Sequence, residues 1–331
     1  MIDLRKRSFL KIEDFSYEEL RYLLDLAKQF KIKKQKRESH KYLMDRNIAL
    51  IFEKTSTRTR CSFEVAGFDL GMNVTYINSS SSQLGKKESV EDTAKVLGRI
   101  YDGIEFRGFK QESVEILARE AGVPVWNGLT DYCHPTQVLA DFLTMEEHFG
   151  YLKGLNLVYV GDARNNISNS LMMMSAKMGV NFTSCSPKEL WTTEEVVNKC
   201  LEVAKTTGSV IKQTEDVKEA LTGADAVYTD VWVSMGEPEE LWDKRINLLR
   251  NYQVNKETFG FAKDTAIFLH ALPSFHDLNT SIGEDIYKKY GLEAMEVTND
   301  VFKSDRSKVF DEAENRMHTI KAVIYATLKD Y

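Results

Sequence analysis

Only four cysteines occur in 331 residues, and Cys61, Cys133, Cys185 and Cys200 are scattered with no CxxC spacing. Neither a disulfide framework nor a zinc site is indicated, and each thiol is expected to be a small buried side chain. No apolar run approaches the roughly 20 residues of a membrane span. The opening Met1-Ile2-Asp3-Leu4-Arg5-Lys6-Arg7 lacks the apolar core of a secretory signal, so a cytoplasmic location is expected. Positive charge is not in excess either: a net charge of −6 argues against a nucleic-acid surface. The one short basic run, Lys31 to Arg37, reads as a solvated helix end or loop. Low-complexity stretches and long linkers are missing as well. What is present, 43% hydrophobic and 28% charged residues, is the composition of a soluble globular protein. A single core stops growing at about 250–300 residues, so two domains are expected.

Two stretches read as copies of one unit. Asn47 to Thr75 and Asn156 to Thr183 each run apolar strand, polar loop, helix, Gly, second strand. Their closing segments, Leu70-Gly71-Met72-Asn73-Val74-Thr75 and Met178-Gly179-Val180-Asn181-Phe182-Thr183, match position for position in character. Such βαβ units predict an α/β chain of two domains, each a parallel sheet with helices on both faces. The first domain is placed at 1–150 and the second at 151–331, with a final helix over about 311–328 packing back on the first. Ser16 and Glu19 form a capping-box pattern that opens the first amphipathic helix.

Ligands in open parallel sheets sit beyond the carboxyl ends of strands, and every polar constellation in this sequence falls at such a place. The most informative is Ser56-Thr57-Arg58-Thr59-Arg60, where the strand Ile48 to Phe52 gives way to a helix over Thr57 to Leu70. Free N–H groups at a helix start favour an anion. Ser56, Thr57 and Thr59 add O–H donors and Arg58 a planar charged fork, a set suited to phosphate. The plainer reading, in which Ser56 or Thr57 merely caps the helix, stays open on these residues alone. Arg107 follows the strand Gly103 to Phe106. His134 precedes Pro135 at the start of another helix. In the second half Asn166, Asp230 and Ser234 follow strands and suit an amino acid, with amide and hydroxyl for a carboxylate and a carboxylate for an ammonium. Two pockets facing across an interdomain cleft would serve a phosphorylated anion and a zwitterion.

These motifs resemble those of the aspartate and ornithine carbamoyltransferase family, most closely its ornithine-using branch. The likeness runs nearly end to end, through Ser56 to Arg60, Ser82 to Ser89, Phe106-Arg107-Gly108, His134 to Gln137, Gly161 to Asn166, Asp230 to Gly236, His270 to Pro273 and Glu314 to His318. It implies transfer of a carbamoyl group from carbamoyl phosphate to the side-chain amine of ornithine, giving citrulline and phosphate. By the same resemblance Ser56, Thr57, Arg58, Thr59 and Arg107 hold the phosphate, while His134, Gln137 and Arg316 surround the carbamoyl group. Gln83 is expected to reach a neighbouring subunit's site, making a homotrimer, or a multiple of trimers, the functional unit. Asn166, Asp230, Ser234 and Met235 are assigned to ornithine, and the Ser-Met-Gly loop separates ornithine users from aspartate users. No metal or other cofactor, nucleic acid or membrane is implied.

One position departs from the pattern. Members of the branch usually read His-Cys-Leu-Pro where this chain has His270-Ala271-Leu272-Pro273. Backbone carbonyls of Ala271 and Leu272 remain as acceptors for the carbamoyl amide, so activity is expected with weaker ornithine binding. Two other readings stay open, a non-catalytic paralogue that binds carbamoyl phosphate and a carbamoyltransferase for another amine such as putrescine. Ala271→Cys is expected to lower the KM for ornithine, and an unchanged or higher value in steady-state kinetics would reject a role for the thiol.

Overall fold

A computed structural model describes residues 2–78, 80, 87–233 and 240–330. The chain divides into two compact units, Met1–Thr144 with Ala313–Tyr331, and Met145–Glu312. In the first lie α1 (Tyr17–Gln35), β1 (Asn47–Phe52), α2 (Thr57–Leu70), β2 (Asn73–Asn78), α3 (Val90–Leu97), β3 (Gly103–Arg107), α4 (Gln111–Glu120) and β4 (Val125–Leu129). Helix α5 (Pro135–Phe149) carries the chain over the boundary. The second unit holds β5 (Asn156–Val160), α6 (Asn166–Met178), β6 (Asn181–Cys185), α7 (Glu194–Thr207), β7 (Ile211–Thr214), α8 (Val217–Leu221), β8 (Ala226–Thr229), α9 (Glu240–Leu249), α10 (Lys256–Phe259), β9 (Ile267–His270), α11 (Ser281–Tyr290) and α12 (Asn299–Phe302). The last helix, α13 (Val309–Leu328), begins two residues before the sequence suggested and returns the chain to the first unit. No helix among the described residues is long and apolar enough to cross a membrane.

The sheets are both parallel, ordered β2-β1-β3-β4 and β7-β6-β5-β8-β9. All five residues of β3 are buried, as are five consecutive residues of β1. Successive side chains on a strand point to opposite faces, so both faces of this sheet are covered. In each sheet the chain builds outward to one side and then crosses to the other, between β1 and β3 in the first and between β5 and β8 in the second. Such a reversal opens a crevice at the carboxyl ends of the two strands.

The repeated unit is physical as well as sequential. Asn47 pairs in register with Asn73, and Asn156 with Asn181. The second Asn of each pair donates from Nδ2 to Oδ1 of the first, at 3.1 and 3.0 Å. Gly71 and Gly179 end α2 and α6 in the left-handed region, at φ 88° and 73°, which a side chain would disfavour. The correspondence runs further than the sequence suggested. Asp102 and Asp225, each just ahead of the strand across the crossover, accept the N–H of Asn47 and Asn156 at 2.8 and 2.9 Å. Each aspartate also returns its own N–H to the same asparagine's carbonyl.

Two expectations need correction. Cys61 is exposed on the first turns of α2, while the other three cysteines are buried; the surface face of an amphipathic helix admits a small side chain as readily as its core face does. The basic run is not wholly solvated either. Lys31 Nζ donates to Asn315 Oδ1 at 2.8 Å, and Lys34 Nζ to Asp69 Oδ2 at 2.7 Å, tying α1 to α13 and α2.

Asp225→Ala would leave the Asn156 N–H without its acceptor and break the 2.7 Å ion pair with Lys263. A lost partner of this kind costs about 1–3 kcal/mol. Calorimetric melting of the variant should show a lower transition temperature, and an unchanged one would mean water replaces the carboxylate without penalty.

Candidate active site

In the first unit Ser56 has the extended backbone of a helix cap, and its Oγ accepts from Thr59 N at 3.2 Å. The capping reading and the anion reading are therefore compatible, because the cap satisfies one N–H and leaves the rest of the first turn at the helix's positive end. Thr57 is exposed there, Ser56 and Arg58 are half-buried, and Thr59 is fully buried. Thr59 Oγ1 accepts from Arg316 Nη2 at 2.8 Å and from Arg107 Nη1 at 3.3 Å. Its own hydroxyl proton remains to be donated. Arg107 proves to be the last residue of β3 rather than the residue after it, and pairs in register with Phe52, the last residue of β1. It thus stands at the sheet's crossover point.

His134 is buried immediately before Pro135, the first residue of α5. Its Nδ1 lies 3.4 Å from Thr136 Oγ1. Burial, followed by the charges of Arg316, Arg107 and Arg58, pushes the imidazole well below its usual range. A neutral ring at physiological pH follows, able to donate one N–H. Gln137, one turn into the helix, donates from Nε2 to Asp141 Oδ1 at 2.8 Å. Burial also lowers Arg107, against the pull of Glu105, to about 10, so it stays charged at neutral pH. Arg58, Arg107 and Arg316 thus concentrate positive charge around one neutral imidazole, and guanidiniums are the side chains whose geometry matches an oxyanion.

The second unit places Asn166 as the first residue of α6. Its neighbour Asn165, not Asn166, is the cap, accepting from Ser168 N at 2.8 Å. From Nδ2 Asn165 donates to Tyr159 Oη at 2.6 Å and to Asp230 Oδ2 at 3.3 Å. Asp230 follows β8 directly. Burial, opposed by His270 and reinforced by Glu296 and Asp162, raises its carboxyl to about 6. Behind it His270 Nε2 and Glu296 Oε1 lie 3.0 Å apart, both fully buried. The His270 N–H donates to Glu312 Oε2 at 3.0 Å. Ala271 and Leu272 follow, half-buried, with a cis peptide between Leu272 and Pro273. Gln83, Ser234 and Met235 lie outside the described residues. No cluster of three or more His, Cys, Asp or Glu that could hold a metal occurs among the described residues.

Sequence reasoning passed over three groups. Asn165 was hidden by its twin Asn166. The His270–Glu296 pair joins residues 26 apart and has no local signature. Glu105 did carry a signal: a carboxylate set between the apolar Ile104 and Phe106 in the middle of a strand.

Known proteins resemble this chain in sequence and fold. The pattern described as aspartate/ornithine carbamoyltransferase, carbamoyl-P binding domain, matches residues 7–147. Its companion, the Asp/Orn binding domain, matches residues 153–327. The chain belongs to the aspartate/ornithine carbamoyltransferase family. Within that family it is similar to proteins named catabolic ornithine carbamoyltransferase. One, from Treponema denticola, is 63% identical over 98% of this chain and 96% of the relative. Another, from Staphylococcus aureus, is 58% identical over 98% and 97%. The solved ornithine carbamoyltransferase of Pyrococcus furiosus superposes over 100% of both chains with a TM-score of 0.92 at 38% identity.

Proposed function

We propose that this chain is an ornithine carbamoyltransferase, exchanging carbamoyl phosphate and L-ornithine for citrulline and phosphate. The observation that carries the reading is the meeting of Arg107 and Arg316 on Thr59 Oγ1 beside a neutral, buried His134. Residues 1–150 are assigned to carbamoyl phosphate and 151–331 to ornithine, except that the last helix, about 311–328, packs back on the first domain and brings Arg316 to it. Ser56, Thr57, Arg58, Thr59 and Arg107 hold the phosphate, with Gln83 supplied by an adjacent subunit of a homotrimer. His134, Gln137 and Arg316, with the carbonyls of Ala271 and Leu272, surround the carbamoyl group. Asn166, Ser234 and Met235 receive the ornithine, and Asp230 its α-ammonium. The protein works in the cytoplasm, and the high identity to relatives named catabolic favours the citrulline-consuming direction.

The chemistry follows from these groups. A δ-amine with a pKa near ~10 must lose a proton before it attacks. Its lone pair then adds to the carbamoyl carbon, and negative charge grows on the carbamoyl oxygen. His134, Thr59 and Arg58 are donors for that charge, an effect worth roughly 2.7–4 kcal/mol per donor in other enzymes. Neutral His134 donates without repelling the phosphate's cations. The C–O bond to phosphate breaks, and the departing phosphate accepts the amine's proton. Neither step calls for a protein nucleophile.

The discriminating experiment compares citrulline or carbamoyl-amine formation with ornithine, putrescine and N-acetylornithine. Ornithine should be preferred, because putrescine lacks the carboxylate that Asn166 would bind and leaves that group unmatched. Faster turnover of either alternative would replace the substrate assignment, and no product from any would remove the catalytic one. A pH profile provides an independent check. Asp230, held near 6, is protonated below that pH and can no longer pair with an ammonium. The logarithm of kcat/KM for ornithine should rise with a slope of about one above pH 6, as the amine deprotonates, and steepen to about two below it. A slope that stays near one down to pH 5 would show that Asp230 need not be ionised.

A further inference from the structure

Glu105 is the one carboxylate set into the middle of β3, and the mechanism above does not use it. Its side chain is fully buried, and neither carboxylate oxygen has a hydrogen-bond partner among the described residues. Its neighbours across the sheet, Leu50 on β1 and Trp126 on β4, carry no charge. Gly128 shows where the carboxyl group lies. A Cβ built there would run into Glu105 Oε1 and come within 3.2 Å of Thr59 Cγ2. The carboxyl therefore rests over the β4 backbone beside Thr59, whose hydroxyl carries both guanidiniums. Charged groups act on it from two elements, Arg107 of its own strand and Arg316 of α13. Arg58 of α2 and His134 at the head of α5 complete the cluster through those two.

An unpartnered carboxylate in such a place has two states. Ionised, it neutralises part of the positive field of Arg107 and Arg316. Protonated, it leaves that field for whatever anion the cluster receives. Burial favours the second state, pushing the carboxyl well above its usual range against the pull of Arg107 and Arg316. An arriving oxyanion tips the balance the same way, because like charges repel strongly where little water screens them.

Resting on the reading of Thr59, Arg107 and Arg316 as a phosphate site, we propose that Glu105 makes anion binding here proton-linked. A phosphate-bearing ligand binds the form in which Glu105 carries a proton, and that proton is taken from solvent wherever the carboxyl was ionised beforehand. Glu105 is on this account a positioning and tuning residue and does not touch the reacting atoms. Affinity for the anion falls as pH rises through the titration of the free protein.

Calorimetric titration of the full-length protein and of Glu105→Gln, with sulfate and with inorganic phosphate between pH 6 and 9, tests this. Sulfate does not titrate in that range, so its pH dependence reports the protein alone. In the wild type its Kd should rise by up to about tenfold per pH unit over part of the range. Proton uptake, read from buffers of different ionisation heat, should approach one where the slope is steepest. Glu105→Gln should bind sulfate as tightly as the acid form of the wild type, with a slope and proton count lower by that same amount. Equal slopes in the two proteins, or weaker binding by the variant at every pH, would overturn the inference. If the variant does not fold, the wild type still decides, since no proton uptake at any pH would also overturn it. Failure of both proteins to bind either anion would remove the phosphate-site reading and this inference together, whereas binding without a slope removes the inference alone.

Discussion

One hydroxyl, Thr59 Oγ1, fixes the geometry of the first unit's site. It accepts from Arg107 at the end of a central strand and from Arg316 in the last helix, while its own backbone N–H is held by the cap residue Ser56. Hydrogen bonds to charged groups contribute about 1.5–3 kcal/mol each. Here they also solve a repulsion problem, since two guanidiniums brought together in a buried place need a common acceptor to settle on. The two cations are thereby held in one orientation by the protein itself, as the proposed phosphate site would require. Such preorganisation is what makes an electrostatic site effective.

The sheet explains why the site is where it is. Arg107 and the α2 cap both lie at the carboxyl end of β1 and β3, on either side of the crossover. Asp230 and Asn166 stand at the matching place in the second sheet, after β8 and β5. The opposite ends of the same strands are closed by the Asn–Asp clasps at Asn47 and Asp102, and at Asn156 and Asp225. Each half of the chain thus uses one unit in the same way, with amide and carboxylate sealing the amino end and the carboxyl end left for ligands.

Much of this was legible in order along the chain. The strand–cap–helix run from Asn47 to Gly71 shows itself through an apolar stretch, a hydroxyl cap and a terminal glycine, all local signals with a physical cause. The duplicated unit was equally plain, because Gly71 and Gly179 need the same backbone conformation. What stayed hidden is what depends on distant partners. Nothing near Asp102 or Asp225 announces a clasp, and nothing near Glu296 announces His270. Asn165 and Asn166 are chemically alike, and only the phase of the helix decides which of them caps. Lys31 and Lys34 looked like a solvated run because their partners, Asn315 and Asp69, lie on other elements.

The hydrogen bond between Arg316 and Thr59 spans 257 residues of chain. The second unit is a single continuous stretch, whereas the first draws its final helix from residues after 312. During synthesis at about 5–20 residues per second, Thr59 waits on the order of ten to fifty seconds for its second guanidinium. Translation of the second unit ends at residue 312, ahead of the last stretch of the first, so the unit begun first is the one completed last.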